Sequence, residues 1–242
     1  MTPFIAELIG TGVMILLGGG VVANVLLKDT NGNNSGWIVI STAWALAVFV
    51  GVSIAGPYSG AHLNCAVTLA NLALGTMDLS TAINYMAAQF LGAMLGALVV
   101  WLVYKDHFDR TTDAGAKQAV FCTSPAIKNL PVNFLSEAVA TFVLIFTILH
   151  FTDAKLGESN TIDLGSIGAI PVAFLVWVIG LSLGGTTGYA INPARDLGPR
   201  IVHALLPIQA KAGFNLSYAW VPVVAPMVGS LLAVLLHTYI SG

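Results

Sequence analysis

Long runs of apolar residues, separated by short polar stretches, dominate the pattern of this sequence. A helix rises 1.5 Å per residue, so about 20 apolar residues cross a bilayer core of about 30 Å. Six runs are long enough, and they predict six membrane-spanning helices. The runs cover 4–27, 37–56, 82–104, 133–152, 167–184 and 218–240. The predicted polar connections lie near 28–36, 105–131 and 154–165.

Two further segments, 64–74 and 192–206, are partly apolar but too short to span. About ten helical residues reach only ~15 Å, half of a bilayer core. A backbone that stops inside the membrane must be buried in protein or line a water-filled cavity. Each segment follows a Gly-rich stretch, GPYSGAHLN or GGTTGYAIN. We therefore expect two re-entrant half-helices that enter from opposite faces and meet N-terminus to N-terminus.

The two halves of the chain align with each other. Glu7 and Glu137 lie 130 positions apart, each inside an apolar run, and Asn64 and Asn192 lie 128 positions apart. A third match, at an offset of 133, pairs Gly92-x-x-x-Gly96 with Ala225-x-x-x-Gly229. We interpret residues 1–242 as one channel domain built from two repeats, about 1–110 and 130–242. Three spans per repeat force the second copy to be inverted, as in known transport architectures.

Each short segment begins with Asn-x-Ala, in HLNCAVT and in AINPARD. Asparagine is a favoured N-cap, and proline suits the next position because its missing N–H has no partner there. Two helix N-termini that face each other create a positive midpoint, with two asparagine amides as hydrogen-bond donors. Such a point favours neutral solutes with oxygen acceptors and disfavours cations. The paired elements consist of Asn64, Cys65, Ala66, Asn192, Pro193 and Ala194.

Composition supports an integral membrane protein. Hydrophobic residues make up 57% of the chain and charged residues 8%, whereas soluble domains carry about 25% charged residues. No basic stripe predicts nucleic-acid binding, and no nucleophile–base pair, phosphate-binding loop or zinc motif predicts an enzyme, a cofactor or a metal site. The N-terminal run lacks a basic leading region and contains Glu7, so we expect a mature first helix rather than a cleaved signal peptide.

The motifs SGAHLNCAVT and GYAINPARDLGPR, with the paired glutamates, resemble the aquaporin (major intrinsic protein) family over essentially the full length. The resemblance implies an all-α, right-handed bundle of six membrane helices and two half-helices. It also implies a homotetramer in the plasma membrane, with one pore per subunit. Asp196 directly after Arg195 resembles the glycerol-facilitator branch. That branch implies passive diffusion of glycerol and other small uncharged solutes, with some water, and exclusion of ions and protons.

The family's selectivity filter is carried over by spacing onto Trp44, Gly180, Tyr189 and Arg195. Trp44 and Tyr189 would offer an apolar corner to a carbon backbone, while Arg195 donates to hydroxyl oxygens. Gly180 would widen the opening because it has no side chain. Tyr189 stands where the branch commonly has phenylalanine, and its hydroxyl either adds a polar group to the filter or points away from it.

Other polar residues receive mainly structural interpretations. By family analogy, Glu7 and Glu137 accept hydrogen bonds from backbone N–H groups of the re-entrant loops, and Asp196 stabilises the second loop. Gly60, Ala61 and His62 are expected to line the pore entrance, with gating by His62 protonation as an alternative.

The cysteine in the first motif leaves its own alternatives open. Cys65 is expected to be tolerated in place of proline, although a looser junction and a redox gate are alternatives. A mercurial would reduce flux through Cys65 if its sulfur is reachable from the pore.

Several alternatives to a glycerol channel stay open at this point. The main cargo could be undissociated lactic acid, dihydroxyacetone, urea or a metalloid hydroxide. The protein could also be a proton-coupled transporter that uses Glu7 or Glu137, or a junctional protein with a closed pore.

Orientation is a separate conflict between the family and the charge pattern. Family topology places both termini in the cytoplasm, so that the basic residues of 105–131 lie outside and the inner loop 154–165 holds only Lys155. That distribution contradicts the tendency of basic residues to lie on the inner side. The basic residues concerned are Lys105, Arg110, Lys117 and Lys128.

Overall fold

The computed structural model describes residues 1–156 and 160–242 and is almost entirely helical. The helices are α1 (Pro3–Leu26), α2 (Trp37–Ser59), α3 (Cys65–Ala73), α4 (Leu79–Val103), α5 (Lys105–Arg110), α6 (Ala114–Ala119), α7 (Leu130–Ile148), α8 (Ile170–Ser182), α9 (Pro193–Leu205), α10 (Leu216–Ala219) and α11 (Val221–Ser241). A 3₁₀ turn, Gly165–Ala169, precedes α8, and strands β1 (Lys155–Leu156) and β2 (Asn160–Thr161) pair antiparallel. The predicted connection 154–165 includes residues 157–159, which lie outside the described residues.

Within the described residues, six helical segments are long and apolar enough to cross a membrane: Pro3–Leu26, Trp37–Ser59, Leu79–Val103, Leu130–Ile148, Gly165–Ser182 and Leu216–Ser241. The six-span prediction is thus confirmed, with boundaries shifted by a few residues. Local caps explain several of these ends. Asp78 accepts from the Thr81 N–H at 3.0 Å before α4, and α2 ends at Gly60, which adopts a left-handed φ of 76°.

Glycines bring the spans of each half into close contact. Helix α1 packs against α2 and α4, and α7 packs against α11. A Cβ on Gly92 would collide with the Leu8 carbonyl, and a Cβ on Gly229 with the Ala138 carbonyl. Gly92 therefore corresponds to Gly229. The predicted alignment of α4 with α11, which matched Gly96 to Gly229, is wrong by one helical turn, because small residues recur every four positions and leave the register open.

Helices α3 and α9 are the two half-helices, and their bounds lie within one residue of the predicted segments. Helix α9 packs against α4 and α11, whereas α3 packs against α4, α7 and α11. Each half-helix therefore contacts spans of both halves of the chain, which fixes the two N-termini relative to one another.

The basic residues of the 105–131 region have defined structural partners. Lys117 is only 2% exposed and donates to the Gln209 carbonyl at 2.7 Å, which ties this region to the segment after α9. The other pairs are Lys105 with Asp109, Arg110 with Asp29, and Lys128 with Ser217. Lys117, Arg110 and Lys128 therefore join separate segments of the chain on one side of the bundle, whereas Lys105 pairs within α5.

Candidate functional site

The loops that precede the half-helices share an unusual backbone. Ala61 and Leu63 have φ of 51° and 50°, and Tyr189 and Ile191 have φ of 38° and 44°. Left-handed conformations cost about 1–2 kcal/mol for residues other than glycine. In both loops they fall three residues and one residue before the asparagine. Two left-handed residues so close together persist only where surrounding groups hold the backbone in place.

Two buried carboxylates hold these loops. Glu7 is 0% exposed and accepts from the backbone N–H groups of His62 and Leu63 at 2.8 and 2.7 Å. Glu137 is also 0% exposed and accepts from the N–H groups of Ala190 and Ile191, both at 2.9 Å. Each carboxylate thus satisfies two buried donors that the strained backbone leaves without partners.

Glu7 has a denser environment than Glu137. It also accepts from Ser59 Oγ at 2.6 Å and from Gln89 Nε2 at 2.8 Å. These extra donors distribute its charge over four hydrogen bonds, so the first loop has more support than the second.

The asparagines meet at the centre of the bundle and bind across the junction. Asn64 Nδ2 donates to the Ile191 carbonyl at 2.9 Å, and Asn192 Nδ2 donates to the Leu63 carbonyl at 2.8 Å. Each side-chain oxygen also caps its own half-helix, Asn64 to Ala66 and Asn192 to Ala194. An amide nitrogen has two N–H groups, so each asparagine keeps a second donor beyond the cross-junction bond.

A cavity of about 360 Å³ runs past both asparagines. Of the predicted site residues, it is lined by Trp44, Gly60, Ala61, His62, Asn64, Tyr189, Asn192 and Arg195. Valines from α2 and α8, such as Val48, Val52 and Val176, form apolar wall. The predicted residues outside the lining are Glu7, Cys65, Ala66, Glu137, Gly180, Pro193, Ala194 and Asp196. The cavity therefore combines an apolar wall with a limited set of polar groups, as small-molecule sites do.

The residues predicted as the filter line one cavity, with one exception. The Arg195 guanidinium carbon lies 4.3 Å from the centroid of the Trp44 ring, a cation–π contact that fixes both side chains. Among the described residues, the Arg195 guanidinium has no hydrogen-bond acceptor, so its donors stay available to the cavity. Gly180 does not line the cavity. A Cβ there would meet Tyr189 Cζ at 2.8 Å, so the tyrosine ring occupies the space that the glycine leaves.

Asp196 belongs to a buried network behind the filter rather than to the cavity. Its carboxylate pairs with Arg200 Nε at 2.8 Å and accepts from the N–H and hydroxyl of Thr123 at 2.7 and 2.6 Å. Arg200 in turn donates to the Thr123 carbonyl at 2.8 Å. Sequence reasoning missed Thr123 and Arg200. The signal for Arg200 was its i+4 spacing from Asp196 on one helix, whereas Thr123 lies 73 residues away.

His62 lines the cavity, and its ring contacts two neighbouring side chains. Its Nδ1 is 3.1 Å from Thr68 Oγ1, and its ring contacts that of Tyr85 edge-on with centroids 5.0 Å apart. These contacts fix the imidazole against α3 and α4.

Neither cysteine is reachable from the cavity. Cys65 is 0% exposed and Cys122 is 1% exposed, and burial raises the pKa of the Cys122 thiol to about 12. Reactive cysteines need both access and thiolate character. Inhibition by a mercurial at Cys65 requires a sulfur that is reachable from the pore. The buried Cys65 sulfur does not meet that requirement.

We expect small thiol reagents to leave flux unchanged, and Cys65→Pro to conduct like the natural chain. The Cys65 N–H has no acceptor among the described residues, so proline removes no hydrogen bond, and stability stays equal or rises by up to about 1 kcal/mol. Stopped-flow light scattering with and without a mercurial measures this. Inhibition that disappears in Cys65→Pro would contradict the buried position of this sulfur.

The fold and the site together define a class of protein: a multi-pass membrane protein with a central pore between two re-entrant half-helices. The family model described as "Major intrinsic protein" matches residues 1–237. The chain belongs to that family, and it is a plasma-membrane transport protein rather than an enzyme.

Two relatives and one solved structure extend this result. The chain is 49% identical to a glycerol uptake facilitator protein of Streptococcus pneumoniae, covering 98% of this chain and 99% of that one. It is 47% identical to a probable glycerol uptake facilitator protein of Thermotoga maritima, covering 99% and 100%. The X-ray structure of the aquaglyceroporin from Plasmodium falciparum matches with a TM-score of 0.82 at 32% identity, covering 96% of this chain and 92% of that one. The all-α, aquaporin-like fold prediction is thereby confirmed.

Proposed function

We propose that this protein is a passive channel for glycerol and other small uncharged solutes, with some water. The observation that carries the proposal is the cavity itself, in which Trp44, Tyr189 and valines face the polar set of Arg195, Asn64 and Asn192. A linear polyol has a hydrocarbon edge and a hydroxyl edge, and this wall offers a surface to each. The names of the relatives at 47–49% identity support the same conclusion.

Each polar group has a role in this account. The Arg195 guanidinium donates to solute hydroxyl oxygens at the filter, and Trp44 receives the carbon edge. The free N–H groups of Asn64 and Asn192 then donate to the solute at the midpoint. Because the residues that carry these donors already line the cavity, a solute exchanges its water hydrogen bonds for protein ones without a large rearrangement.

Exclusion of ions and protons is part of the proposal and rests on electrostatics. Arg195 places a full positive charge at the filter, and two half-helix N-termini each place about half a positive charge at the midpoint. Helix termini and a pore arginine are known barriers to cations and protons in channels.

The carboxylates favour a channel over a proton-coupled transporter. A proton-coupling acid must exchange protons with the transport path, yet Glu7 and Glu137 are 0% exposed and do not line the cavity. Their oxygens accept backbone N–H groups of both loops. We assign them the structural role of holding the pore loops in place, and Asp196 the role of anchoring α9 to the Thr123 segment.

Swelling of proteoliposomes tests the cargo. We expect glycerol flux that rises linearly with gradient and does not change when a proton gradient is imposed. A panel of urea, dihydroxyacetone and lactic acid, the last at several pH values, ranks the rival solutes. Accumulation of urea or dihydroxyacetone above equilibrium under a proton gradient would show a coupled transporter instead. Lactic acid does not serve this criterion, because its neutral form is trapped as lactate on the alkaline side even in a passive channel.

We also propose a homotetramer with one pore in each subunit. The outer faces of the spans carry exposed apolar side chains, such as Leu46 at 58% and Leu235 at 67%, which need lipid or a neighbouring subunit. Mass measurement of the detergent-solubilised protein tests this, and a monomer at all concentrations would contradict it.

A further inference from the structure

A support made of three residues lies behind Tyr189, on the side away from the cavity. Gly180 and Gly184 of the α8 end leave room for the tyrosine ring, and a Cβ on Gly180 would approach Tyr189 Cζ to 2.8 Å. Trp37 completes the support at the first turn of α2. Its ring meets the Tyr189 ring edge-on, with centroids 5.8 Å apart and an interplanar angle of 78°.

Trp37 is also hydrogen-bonded to α8, the helix that carries Gly180. Its indole Nε1 donates to the Gly180 carbonyl at 3.0 Å. Helix α8 ends at Ser182, so this carbonyl is in the last turn, where carbonyls have no partner within the helix. Trp37 therefore links α2 to the end of α8, and its ring packs against that of Tyr189.

The Tyr189 side chain has no polar anchor of its own. It is 5% exposed, and its hydroxyl has no hydrogen-bond partner among the described residues. Its hydroxyl lies against Gly180, where a Cβ would approach it to 3.0 Å. Packing alone thus determines where the ring stands, and Trp37 supplies the aromatic part of that packing.

We propose that Trp37 is a positioning residue for the filter, which sets the solute size limit by holding the Tyr189 ring against the lumen. The proposal rests on the proposed channel function. Trp37 does not line the cavity and is itself 40% exposed, so it acts on solutes only through Tyr189. Without the indole, the ring can retreat into the vacated space, and the filter admits wider polyols.

Trp37→Ala tests this through a permeability ratio. We expect the ratio of erythritol to glycerol permeability to rise about three- to tenfold. This factor corresponds to the free energy of a typical edge-to-face aromatic pair. A ratio measured on one preparation does not depend on how much protein is folded or inserted, so a merely structural loss leaves it unchanged. Trp37→Phe keeps a ring but loses the N–H donor, and a smaller rise is expected.

Trp220→Ala is the matched control. Trp220 is 44% exposed, immediately precedes α11, contacts Phe134 with centroids 5.7 Å apart and does not line the cavity. Trp220→Ala removes an exposed aromatic residue at a helix start and leaves the surroundings of Tyr189 unchanged. We therefore expect the same ratio of erythritol to glycerol permeability as in the natural protein. An unchanged or lower ratio in Trp37→Ala, or in Trp37→Phe where the alanine variant does not fold, would overturn the proposal.

Failure of the channel function gives a different result from failure of this proposal. If the natural protein does not conduct glycerol, the proposed function is wrong. The Trp37 variants are then compared by the ratio of any two neutral solutes of different width that the natural protein does conduct. A shift in Trp37→Ala alone would still support the positioning role.

Discussion

Glu137→Gln is expected to lower solute flux at least about tenfold and to destabilise the protein by about 2–4 kcal/mol. A glutamine has a single acceptor oxygen, so one of the buried N–H groups of Ala190 and Ile191 loses its partner. An unsatisfied buried donor costs about 1–3 kcal/mol, and the left-handed residues Tyr189 and Ile191 lose their restraint. Tyr189 of the filter and the Asn192 cap lie in this loop, so its displacement blocks the path.

Flux per inserted protein, with thermal unfolding in detergent, measures this effect. Asp109→Asn is the control, because that carboxylate is exposed and pairs with Lys105 on the surface. Glu7→Gln is also expected to lower flux and stability, since Ser59 and Gln89 donate to this carboxylate beside the two backbone N–H groups, and glutamine leaves these four donors a single acceptor oxygen. Normal flux and stability in Glu137→Gln would show that the loop does not depend on the charged acceptor.

Arg195→Ala is expected to open the channel to cations, with proton or sodium conductance rising by up to about two orders of magnitude. A unit charge ~5 Å from a passing cation opposes it by about 3 kcal/mol at an effective dielectric constant of about 20. Loss of the side chain also frees Trp44 from the cation–π contact and widens the filter. Water permeability should stay equal or rise.

Dye-based proton flux and electrical recording in liposomes give the two readouts. Arg110→Ala is the matched control, because this arginine is exposed and pairs with Asp29 in a surface loop. Cation conductance in Arg195→Ala equal to that of the control would place the barrier at the half-helix N-termini instead.

The sequence predicts the fold well because its periodic apolar runs carry the signal directly. Each span needs about 20 apolar residues, and an Asn N-cap after a Gly-rich stretch predicts the start of each half-helix. What it could not predict is the packing register of one helix against another. The one-turn error at Gly92 and Gly229 shows that small-residue spacing alone does not determine helix register.

The filter shows the same limit. The family resemblance assigns Trp44, Tyr189 and Arg195 to one filter, and all three line the cavity, but it does not reveal that Gly180 faces the tyrosine ring rather than the lumen. Trp37 was visible only as an aromatic residue at the start of a span, a common position in membrane helices. Its partner Gly180 lies 143 residues away, and only the packed structure brings them together.

Stopped-flow light scattering of proteoliposomes under a glycerol gradient tests the central claim most directly. We predict glycerol permeability well above that of protein-free liposomes, linear in the gradient and independent of proton gradients, together with measurable water flow. Fast water flow with glycerol fully excluded would contradict the account, because it would show that the cavity lined by Trp44, Tyr189 and Arg195 does not admit a polyol.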